Sequence, residues 1–286
     1  MDPFIKWAGS ERRIADKIRA ALPKGRRLIE PFLGSGAVFL TNGDRYGEFL
    51  LGDTNPDLVH LYHEVRRSPR EFIENARGLF NEEGNTEEVY YRRRAQFNAL
   101  PHGHRERSLL FLYLNRHGFN GLCRYNKRGD LNVSFGRSNG PYFPEAELYA
   151  FATAASRATI RVADFRVMMR EAGPDDVVYC DPPYIPLSDT ASFVEYAPEG
   201  FADQRDLTAE ALAATRRGAT VVLSNHDTPL ARRLYRRAAS ISTLEVRRSV
   251  GAKSRGNVSE LIAVFRPRSA GARARISVDA RLAEAA

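Results

Sequence analysis

The chain has 286 residues, of which 43% are apolar and 27% are charged. This length suffices for a sizeable core, and the composition excludes a wholly disordered chain. Lys and Arg number 43 against 35 Asp and Glu, and the net charge of +8 favours a polyanionic partner such as nucleic acid. Cys123 and Cys180 lie far apart without metal-site spacing, and no segment has the pattern of a signal peptide or a membrane span. We therefore expect a soluble cytoplasmic protein that binds neither a metal ion nor a membrane.

The first quarter of the chain has the pattern of an α/β fold. An amphipathic helix at 13–22 precedes a buried strand at 28–32, which leads through a glycine-rich turn into a helix that opens at 37–40. A second strand at 49–53 ends on an acid and is followed by a helix at 56–65. This alternation predicts the opening of a doubly wound parallel sheet.

The middle of the chain has a different pattern. Helical stretches are predicted at 69–80, 86–99 and 108–116, followed by a polar segment at 117–140 that is rich in Gly, Asn and Arg with interleaved aromatic residues. The segment breaks the α/β alternation, so we predict an inserted, mostly helical module.

Sheet periodicity returns in the last part of the chain. Apolar strands are predicted at 176–180 and 219–225, and an antiparallel pair at 242–249 and 259–265 closes the sheet. The residues after this pair have no convincing apolar face and are predicted to form a mobile tail. The predicted organisation is a discontinuous catalytic domain, an inserted module and a tail, at 1–66 with 150–265, at 67–149 and at 266–286.

The first strand runs into the turn Glu-Pro-Phe-Leu-Gly-Ser-Gly, which starts at Glu30. Glycines at such a turn let the backbone approach a ligand near a helix N-terminus, although a plain tight turn is the alternative. Asp53 ends the next strand, where it can accept hydrogen bonds from ribose hydroxyls. The turn lacks a P-loop lysine and a third glycine, so a nucleoside cofactor without a bound phosphate fits best. We predict a site formed by Phe32, Gly34, Gly36 and Asp53, and S-adenosylmethionine is a cofactor of this kind.

Asp181-Pro182-Pro183-Tyr184 follows a Val-rich strand, at the sheet edge where open α/β folds bind ligands. The Asp181 carboxylate and the Pro182 carbonyl can both accept hydrogen bonds from a base amine, which exposes the lone pair of its nitrogen. The prolines fix φ and preorganise the carbonyl, and Tyr184 offers a flat face for an extruded base. A surface turn is the alternative, which the position after a buried strand disfavours. We therefore predict methylation of an exocyclic base amine, with these four residues as the catalytic set.

The segment 115–137 alternates Arg, Lys and Asn donors with aromatic residues. In the major groove Arg can read guanine, Asn can read adenine, and an apolar side chain such as Leu122 can meet a thymine methyl group. The segment is too basic for an ordinary solvated hairpin, so we predict that it reads DNA. The run Arg92 to Arg94 is instead typical of a solvated helix face.

Two places in the chain keep more than one interpretation. Trp7 is either a hydrophobic plug at a domain edge or a ring that covers the cofactor, with Lys6 available to a guanine edge or a phosphate. Asn225 and Asp227 end another core strand at the same sheet edge, where either can line the pocket. His226 between them is interpreted as structural.

Together these motifs resemble those of the Dam-type DNA adenine-N6 methyltransferases, from Phe4 to about Phe265. The matching segments occur in the family's order: KWAG, EPFLGSG, GDTNPDL, LYLNRHGFNGLCRYNKRGDLNVSFGR, PYFPEAELYAF, VVYCDPPY and LSNHDT. The resemblance implies a class I methyltransferase sheet with an inserted target-recognition domain. It also implies transfer of a methyl group from S-adenosylmethionine to N6 of the adenine in duplex GATC by base flipping, which leaves S-adenosylhomocysteine. The expected enzyme is a monomer in a bacterial cytoplasm, either associated with the nucleoid or in a phage-infected cell.

The resemblance also assigns roles to individual residues. Cofactor-binding positions of the family are matched by Trp7, Asp53 and Asp181. Positions that read bases or insert between them are matched by Lys6, Phe119, Asn120, Leu122 and Arg124. Positions that contact phosphates are matched by Arg94, Arg116, Asn126, Asn132 and Arg137.

Three departures from the family pattern carry expectations of their own. Ser10-Glu11 stands where the family has Gly-Lys, so an acid replaces a lysine that helps to hold the cofactor and weaker cofactor binding is expected. Ser134 replaces a proline that touches a target base pair, which predicts altered specificity at one position. The 251–257 stretch differs without a consequence that follows from the sequence.

Three alternative functions remain open from the sequence. N4-cytosine methylation uses the same tetrad chemistry but is disfavoured by the recognition segment. A GATC-binding protein without catalysis is motivated by Glu11. RNA methylation is the third alternative.

Overall fold

The computed structural model of the chain describes residues 1–7, 15–137, 139–186, 203–250 and 254–267. Within these residues the backbone forms one seven-stranded sheet in the spatial order β3-β2-β1-β4-β5-β7-β6. The strands are, in chain order, β1 (Arg27–Glu30), β2 (Glu48–Asp53), β3 (Ala158–Val162), β4 (Asp176–Cys180), β5 (Thr220–His226), β6 (Ser240–Val250) and β7 (Ser254–Phe265). The first five strands are parallel, and β7 runs antiparallel to both β5 and β6.

Ten α-helices lie within the described residues. They are α1 (Ala15–Ala21), α2 (Ala37–Thr41), α3 (Pro56–Arg67), α4 (Pro69–Arg77), α5 (Glu87–Ala99), α6 (Arg105–His117), α7 (Glu145–Ala154), α8 (Phe165–Arg170), α9 (Gln204–Arg216) and α10 (Pro229–Leu234). Helix α3 has a well-formed start, because the Asn55 side chain accepts hydrogen bonds from the N–H groups of Asp57 and Leu58 and Pro56 occupies the first turn. In the described part of the chain, no helix combines the length and the apolarity that crossing a membrane needs.

The sheet separates two hydrophobic cores, because successive side chains of a strand point to opposite faces. On β1, Leu28 belongs to one core and Ile29 to the other. All five residues of β4 are buried, as expected for a central strand covered on both faces. The core on the Ile29 face is completed by helices α8 and α9.

The core on the Leu28 face continues without interruption into the helices of the 67–149 segment. Phe72 of α4, Phe97 of α5 and Phe111 of α6 belong to the same cluster of buried residues as Leu28. Helices α4 to α6 therefore share one continuous hydrophobic core with this face of the sheet. The division into two domains stays a prediction.

The predicted α/β architecture with an inserted helical segment is confirmed, with differences at the element level. The sequence prediction missed β3, and the pair predicted at 242–249 and 259–265 is longer, extending over Ser240–Val250 and Ser254–Phe265. The predicted 108–116 helix begins earlier, at Arg105, because the buried Arg107 belongs to its first turn. Most of the predicted tail, from residue 268 onward, and the Ser10-Glu11 departure lie outside the described residues.

Candidate active site

The carboxyl ends of the parallel strands meet at one edge of the sheet. Glu30 ends β1, Asp53 ends β2, Asp181 directly follows β4, and Asn225 lies near the end of β5. Open α/β sheets bind ligands at this edge. The predicted cofactor and catalytic motifs therefore converge there.

The glycine turn after β1 is shaped by two residues in left-handed conformation, Gly34 with φ +48° and Gly36 with φ +73°. A Cβ atom on Gly34 would lie 2.9 Å from Cδ1 of Trp7, so the indole ring packs directly against the turn. Tyr62 of α3 donates a hydrogen bond of 2.6 Å to the Gly34 carbonyl. A side chain at Gly34 would therefore strain the backbone and displace Trp7.

Asp53 is anchored beside this turn by backbone donors. The Gly34 N–H donates to Oδ2 at 3.1 Å, and the Asn55 N–H donates to Oδ1 at 2.9 Å. Burial raises the pKa of Asp53, and these backbone hydrogen bonds offset only part of that increase. A carboxylate has about four acceptor positions, so Asp53 keeps the capacity to accept ligand hydroxyls.

Glu30 is a second buried acid at the same edge, with 2% of its surface exposed. Its Oε1 atom has no hydrogen-bond partner among the described residues. Burial, and then the nearby charge of Asp181, raise the pKa of Glu30 well above its ordinary value. A buried acceptor without a donor is costly, so Glu30 is a candidate for contact with a cationic group of a ligand.

Phe32 provides an apolar surface next to the glycine turn. Its ring stacks on that of Phe165, with 5.5 Å between centroids and 23° between planes, and it remains half-buried. A planar ligand ring could extend this stack.

The loop of the catalytic tetrad is held from β5 and α9. Ser224 donates a hydrogen bond of 2.7 Å to Oδ1 of Asp181. Gln204 donates to the Pro183 carbonyl at 2.9 Å, and the Asn225 side chain accepts from the Ile185 N–H at 2.9 Å.

Asn225 and Gln204 are in turn joined at 3.2 Å, so the two loop contacts belong to one network. Among the hydrogen bonds of the described residues, none is accepted by the Pro182 carbonyl. The network therefore fixes the loop while leaving the predicted amine acceptor unused.

Tyr184 is positioned by two neighbours. Its hydroxyl donates to Oε2 of the buried Glu260 at 3.4 Å, and its ring meets the His226 ring edge-on at 4.9 Å. His226 contacts the Ile185 carbonyl through Nδ1 at 2.8 Å, and its structural role stays a prediction. Asp227 binds Arg232 at 2.6 Å. Asn225 therefore supports the loop from within, whereas the Asp227 carboxylate is engaged by an arginine.

The recognition segment forms a short antiparallel ribbon, defined here as residues 117–125 and 131–136. Tyr125 pairs with Leu131, and Gly118 pairs with Phe135. The Asn132 N–H donates to the Arg124 carbonyl at 2.8 Å. Such a two-stranded ribbon is one of the elements that the major groove admits.

Side chains alternate between the two faces of the ribbon. Cys123, Leu131 and Val133 are buried in the core on the Leu28 face. Phe119 is 51% exposed and Leu122 is 39% exposed. The outward face of the ribbon carries six of the predicted base-reading or phosphate-contacting residues: Phe119, Asn120, Leu122, Arg124, Asn132 and Ser134.

Lys6 connects the ribbon to the cofactor side of the site. Asn115 of α6 accepts from the Lys6 N–H at 2.8 Å and donates to the carbonyls of Lys6 and Gly121 at 2.7 and 3.1 Å. Gly121 has φ +66°, and a Cβ atom there would lie 2.3 Å from the Lys6 Cβ. The next residue, Trp7, lies on the glycine turn, so Lys6 and Trp7 bridge the two halves of the site.

The residues predicted to contact phosphates have intramolecular partners. Arg94 donates to the Val133 carbonyl at 2.8 Å, Arg116 donates to the Tyr142 carbonyl at 2.9 Å, and Arg137 pairs with Glu87 at 3.5 Å. The Asn126 side chain accepts from the Arg128 and Asp130 N–H groups, which holds the tight turn of the ribbon. Phosphate contact by these residues stays a prediction.

The sequence prediction missed several residues of the site, among them Glu30 and three residues that hold the site in place. Asn115 lay inside a helix pattern, Gln204 lay in no motif, and Ser224 was not distinguished from its strand. Asn115 did have a local signal, because a buried Asn within an apolar helix requires partners.

The strand order, with β7 reversed between β5 and β6, the glycine turn after β1 and the acid at the end of β2 agree with the class I methyltransferase fold that the motifs implied. The chain belongs to the D12 class of N6 adenine-specific DNA methyltransferases, whose sequence profile matches residues 7–250. It is therefore a DNA adenine methyltransferase, and the resemblance derived from the motifs is confirmed.

Relatives cover nearly the whole chain. It is 46% identical over 268 residues to the DNA adenine methylase of Escherichia coli strain K12, covering 92% of this chain and 95% of that protein. It is 46% identical over 270 residues to the DNA adenine methylase of Vibrio cholerae serotype O1, covering 92% and 96%. Among solved structures, precorrin-6y C5,15-methyltransferase from Geobacter metallireducens is similar with a TM-score of 0.40 at 11% identity, covering 93% of this chain and 100% of that one.

Proposed function

We propose that this enzyme transfers a methyl group from S-adenosylmethionine to N6 of the adenine in duplex GATC, after that adenine is flipped out of the helix. The convergence of Asp181, Asp53 and the glycine turn at one sheet edge, joined through Trp7 and Lys6 to the ribbon, carries the proposal. The segment 67–149 would contribute target recognition, and the remaining elements would contribute the cofactor site and catalysis.

The residues of the cofactor side fit a cationic nucleoside. The Oε1 atom of Glu30, which no described residue contacts by a hydrogen bond, suits an ammonium group, and the anchored Asp53 suits ribose hydroxyls. Trp7 packs against Gly34 of the glycine turn and Phe32 stacks on Phe165, so both rings supply aromatic surface at the turn. When bound, the cofactor supplies a methyl group on a sulfonium that is already activated, so the protein need not provide a covalent nucleophile.

The tetrad fits a base amine. The Asp181 carboxylate and the Pro182 carbonyl would accept the two amine hydrogens and direct the nitrogen lone pair toward the methyl group. Ser224 fixes Oδ1 of Asp181, and the Asn225 network fixes the loop, so little rearrangement is needed during the reaction. Tyr184 would stack on the flipped adenine, and the amine proton leaves during or after transfer.

The outward face of the ribbon would read the sequence around the adenine. Arg124 and Lys6 suit guanine acceptors, Leu122 suits a thymine methyl group, and Phe119 with Asn120 suits insertion where the base has left the stack. Ser134 would stand at one base pair of the site. Arg94, Arg116 and Arg137 would exchange their intramolecular partners for phosphates.

The test measures labelled-methyl transfer to duplexes that carry GATC and each one-base variant, with the methylated base identified after digestion. Asp181→Ala should abolish transfer while duplex affinity stays within about threefold of wild type. Asp227→Asn, at the same edge but paired with Arg232, is the matched control and should keep its activity.

The possible outcomes separate the alternatives. Methyl groups found on N4 of cytosine or on RNA would contradict the proposal. Cofactor binding without methyl incorporation by the wild type would identify a GATC-binding protein instead. Full activity of Asp181→Ala would refute the assignment of the tetrad.

A further inference from the structure

Asp57, in the first turn of α3, is a buried carboxylate with three side-chain partners. Arg107 of α6 donates Nε to Oδ1 at 2.6 Å and Nη2 to Oδ2 at 3.0 Å. The Tyr125 hydroxyl donates to Oδ2 at 2.7 Å, and His102 Nδ1 lies 2.8 Å from Oδ1. Burial alone would raise the pKa of Asp57, and the hydrogen bonds from these three side chains lower it below its ordinary value. An ionised Asp57 therefore holds a helix, a loop and the ribbon together.

The same turn of α3 is also connected to the cofactor side. Asn55 caps the helix, and its N–H donates to Asp53 at 2.9 Å. The Asn55 side chain also lies 3.7 Å from Sγ of Cys123 in the ribbon. The start of α3 thus contacts the anchored cofactor acid on one side and two ribbon residues, Cys123 and Tyr125, on the other.

The charge of Asp57 does not require Tyr125. Arg107 already forms a two-point ion pair with the carboxylate, and its remaining donors satisfy the Phe97 and Leu100 carbonyls. Buried polar groups of this kind are best known for selecting one arrangement of the packed elements among several. Tyr125 lies in the ribbon, and the side chain of the residue before it, Arg124, is exposed to solvent on the outward face. The hydrogen bond of the Tyr125 hydroxyl therefore fixes the ribbon against α3.

We propose that Asp57 and Tyr125 form a positioning pair that holds the outward face of the ribbon at a fixed distance and angle from the cofactor acid. Sequence discrimination then depends on a hydroxyl that contacts neither the bases nor the cofactor. The inference rests on the proposed function only in that the ribbon reads DNA. It adds a positioning residue, Tyr125, outside the predicted set of DNA-contacting residues.

The test compares Tyr125→Phe with Tyr46→Phe. Both variants lose a tyrosine hydroxyl, but the hydroxyl of Tyr46 donates to the Pro23 carbonyl, away from the ribbon. Duplex affinity is measured by titration for GATC and for the same duplex with one base changed, and urea unfolding measures stability. If the wild type prefers another sequence, the ratio is measured for that sequence.

Tyr125→Phe should lose about tenfold in the affinity ratio, because a hydrogen bond to a charged group is removed, while its cofactor affinity stays within about twofold. Tyr46→Phe should lower the free energy of unfolding by a similar amount, while its ratio of duplex affinities stays at the wild-type value. An unchanged ratio in Tyr125→Phe, or an equal fall in both variants, would overturn the positioning role. Absence of methyl transfer by the wild type would instead defeat the proposed function, since the affinity ratio needs no catalysis.

Discussion

Glu30 lies at the end of β1 with 2% of its surface exposed and with its Oε1 unpartnered among the described residues. Burying a carboxyl oxygen that accepts no hydrogen bond lowers the free energy of unfolding, so a packing role alone does not explain an acid at this position. Binding sites commonly retain such costs because the ligand later satisfies the group. The residue should therefore oppose folding and favour cofactor binding, and these two effects can be measured separately.

Glu30→Gln should raise the free energy of unfolding relative to wild type by an amount that grows with pH. The pKa of Glu30 lies well above the ordinary value of 4.5 that applies to the unfolded chain. As pH rises above 4.5, the unfolded chain releases a proton that the folded chain retains, so the wild type loses stability until the folded pKa is passed. The variant has no such proton, and urea unfolding at about pH 5 and pH 8 should show the widening difference.

The exposed Glu82 provides the matched control, because Glu82→Gln makes the same chemical change outside the core. Cofactor titration of Glu30→Gln at about pH 8 should show about tenfold weaker binding, because the Gln amide cannot ionise to pair with a cationic group as the Glu30 carboxyl can when such a group binds beside it. A stability difference that stays constant with pH would contradict the raised pKa. Unchanged cofactor affinity would remove Glu30 from the cofactor site.

Asn115→Asp tests the contact between Lys6 and the ribbon. The variant replaces an amide that donates to two carbonyls by a carboxylate oxygen that repels them. We expect a loss of about 3 kcal/mol in the free energy of unfolding, and weaker duplex binding because Lys6 and Gly121 move apart. Denaturant unfolding and duplex titration measure both effects. Asn75→Asp, on the exposed face of α4, should change neither.

At the level of elements, α9 and β5 act as the support of the catalytic loop. Gln204→Leu should free the Pro183 carbonyl while keeping the volume of the side chain. We expect kcat to fall about tenfold with little change in cofactor affinity, because loop geometry rather than binding is disturbed. Thr208→Val removes a buried hydroxyl one turn along the same helix, whose one partner within the described ranges is the Gln204 carbonyl, and should leave kcat unchanged. Equal losses in both variants would indicate a general effect on α9.

The elements that the sequence predicted have strong local patterns. Strand β4 is a continuous apolar run, and the glycine turn lies between a buried strand and a helix. Strand β3 was missed because it has only five residues with alternating burial and includes an arginine. Two supports of the loop that carries the predicted tetrad were missed because Gln204 and Ser224 lie 21 and 43 residues from their loop partners, a distance that no local pattern covers.

At the scale of the whole molecule, the sheet separates the ribbon, which is predicted to read DNA, from helix α9 on the opposite face. The ribbon belongs to the core on the Leu28 face, whereas α9, with the exposed Arg216, packs on the opposite face. The chain as a whole has a net charge of +8. Net charge alone would attract DNA to either side, so only the location of the charges can define the binding surface.

The dependence of duplex binding on salt distinguishes location from net charge. Arg137→Gln and Arg216→Gln change the net charge equally, but only Arg137, which is 79% exposed beside the ribbon, is predicted to meet a phosphate. Arg137→Gln should lower the slope of log K against log salt by about 1 and weaken all duplexes alike, whereas Arg124→Gln should weaken GATC selectively by about 1–3 kcal/mol. Arg216→Gln should leave the slope unchanged. Equal slopes for Arg137→Gln and Arg216→Gln would show that overall charge, and not the ribbon surface, controls the association.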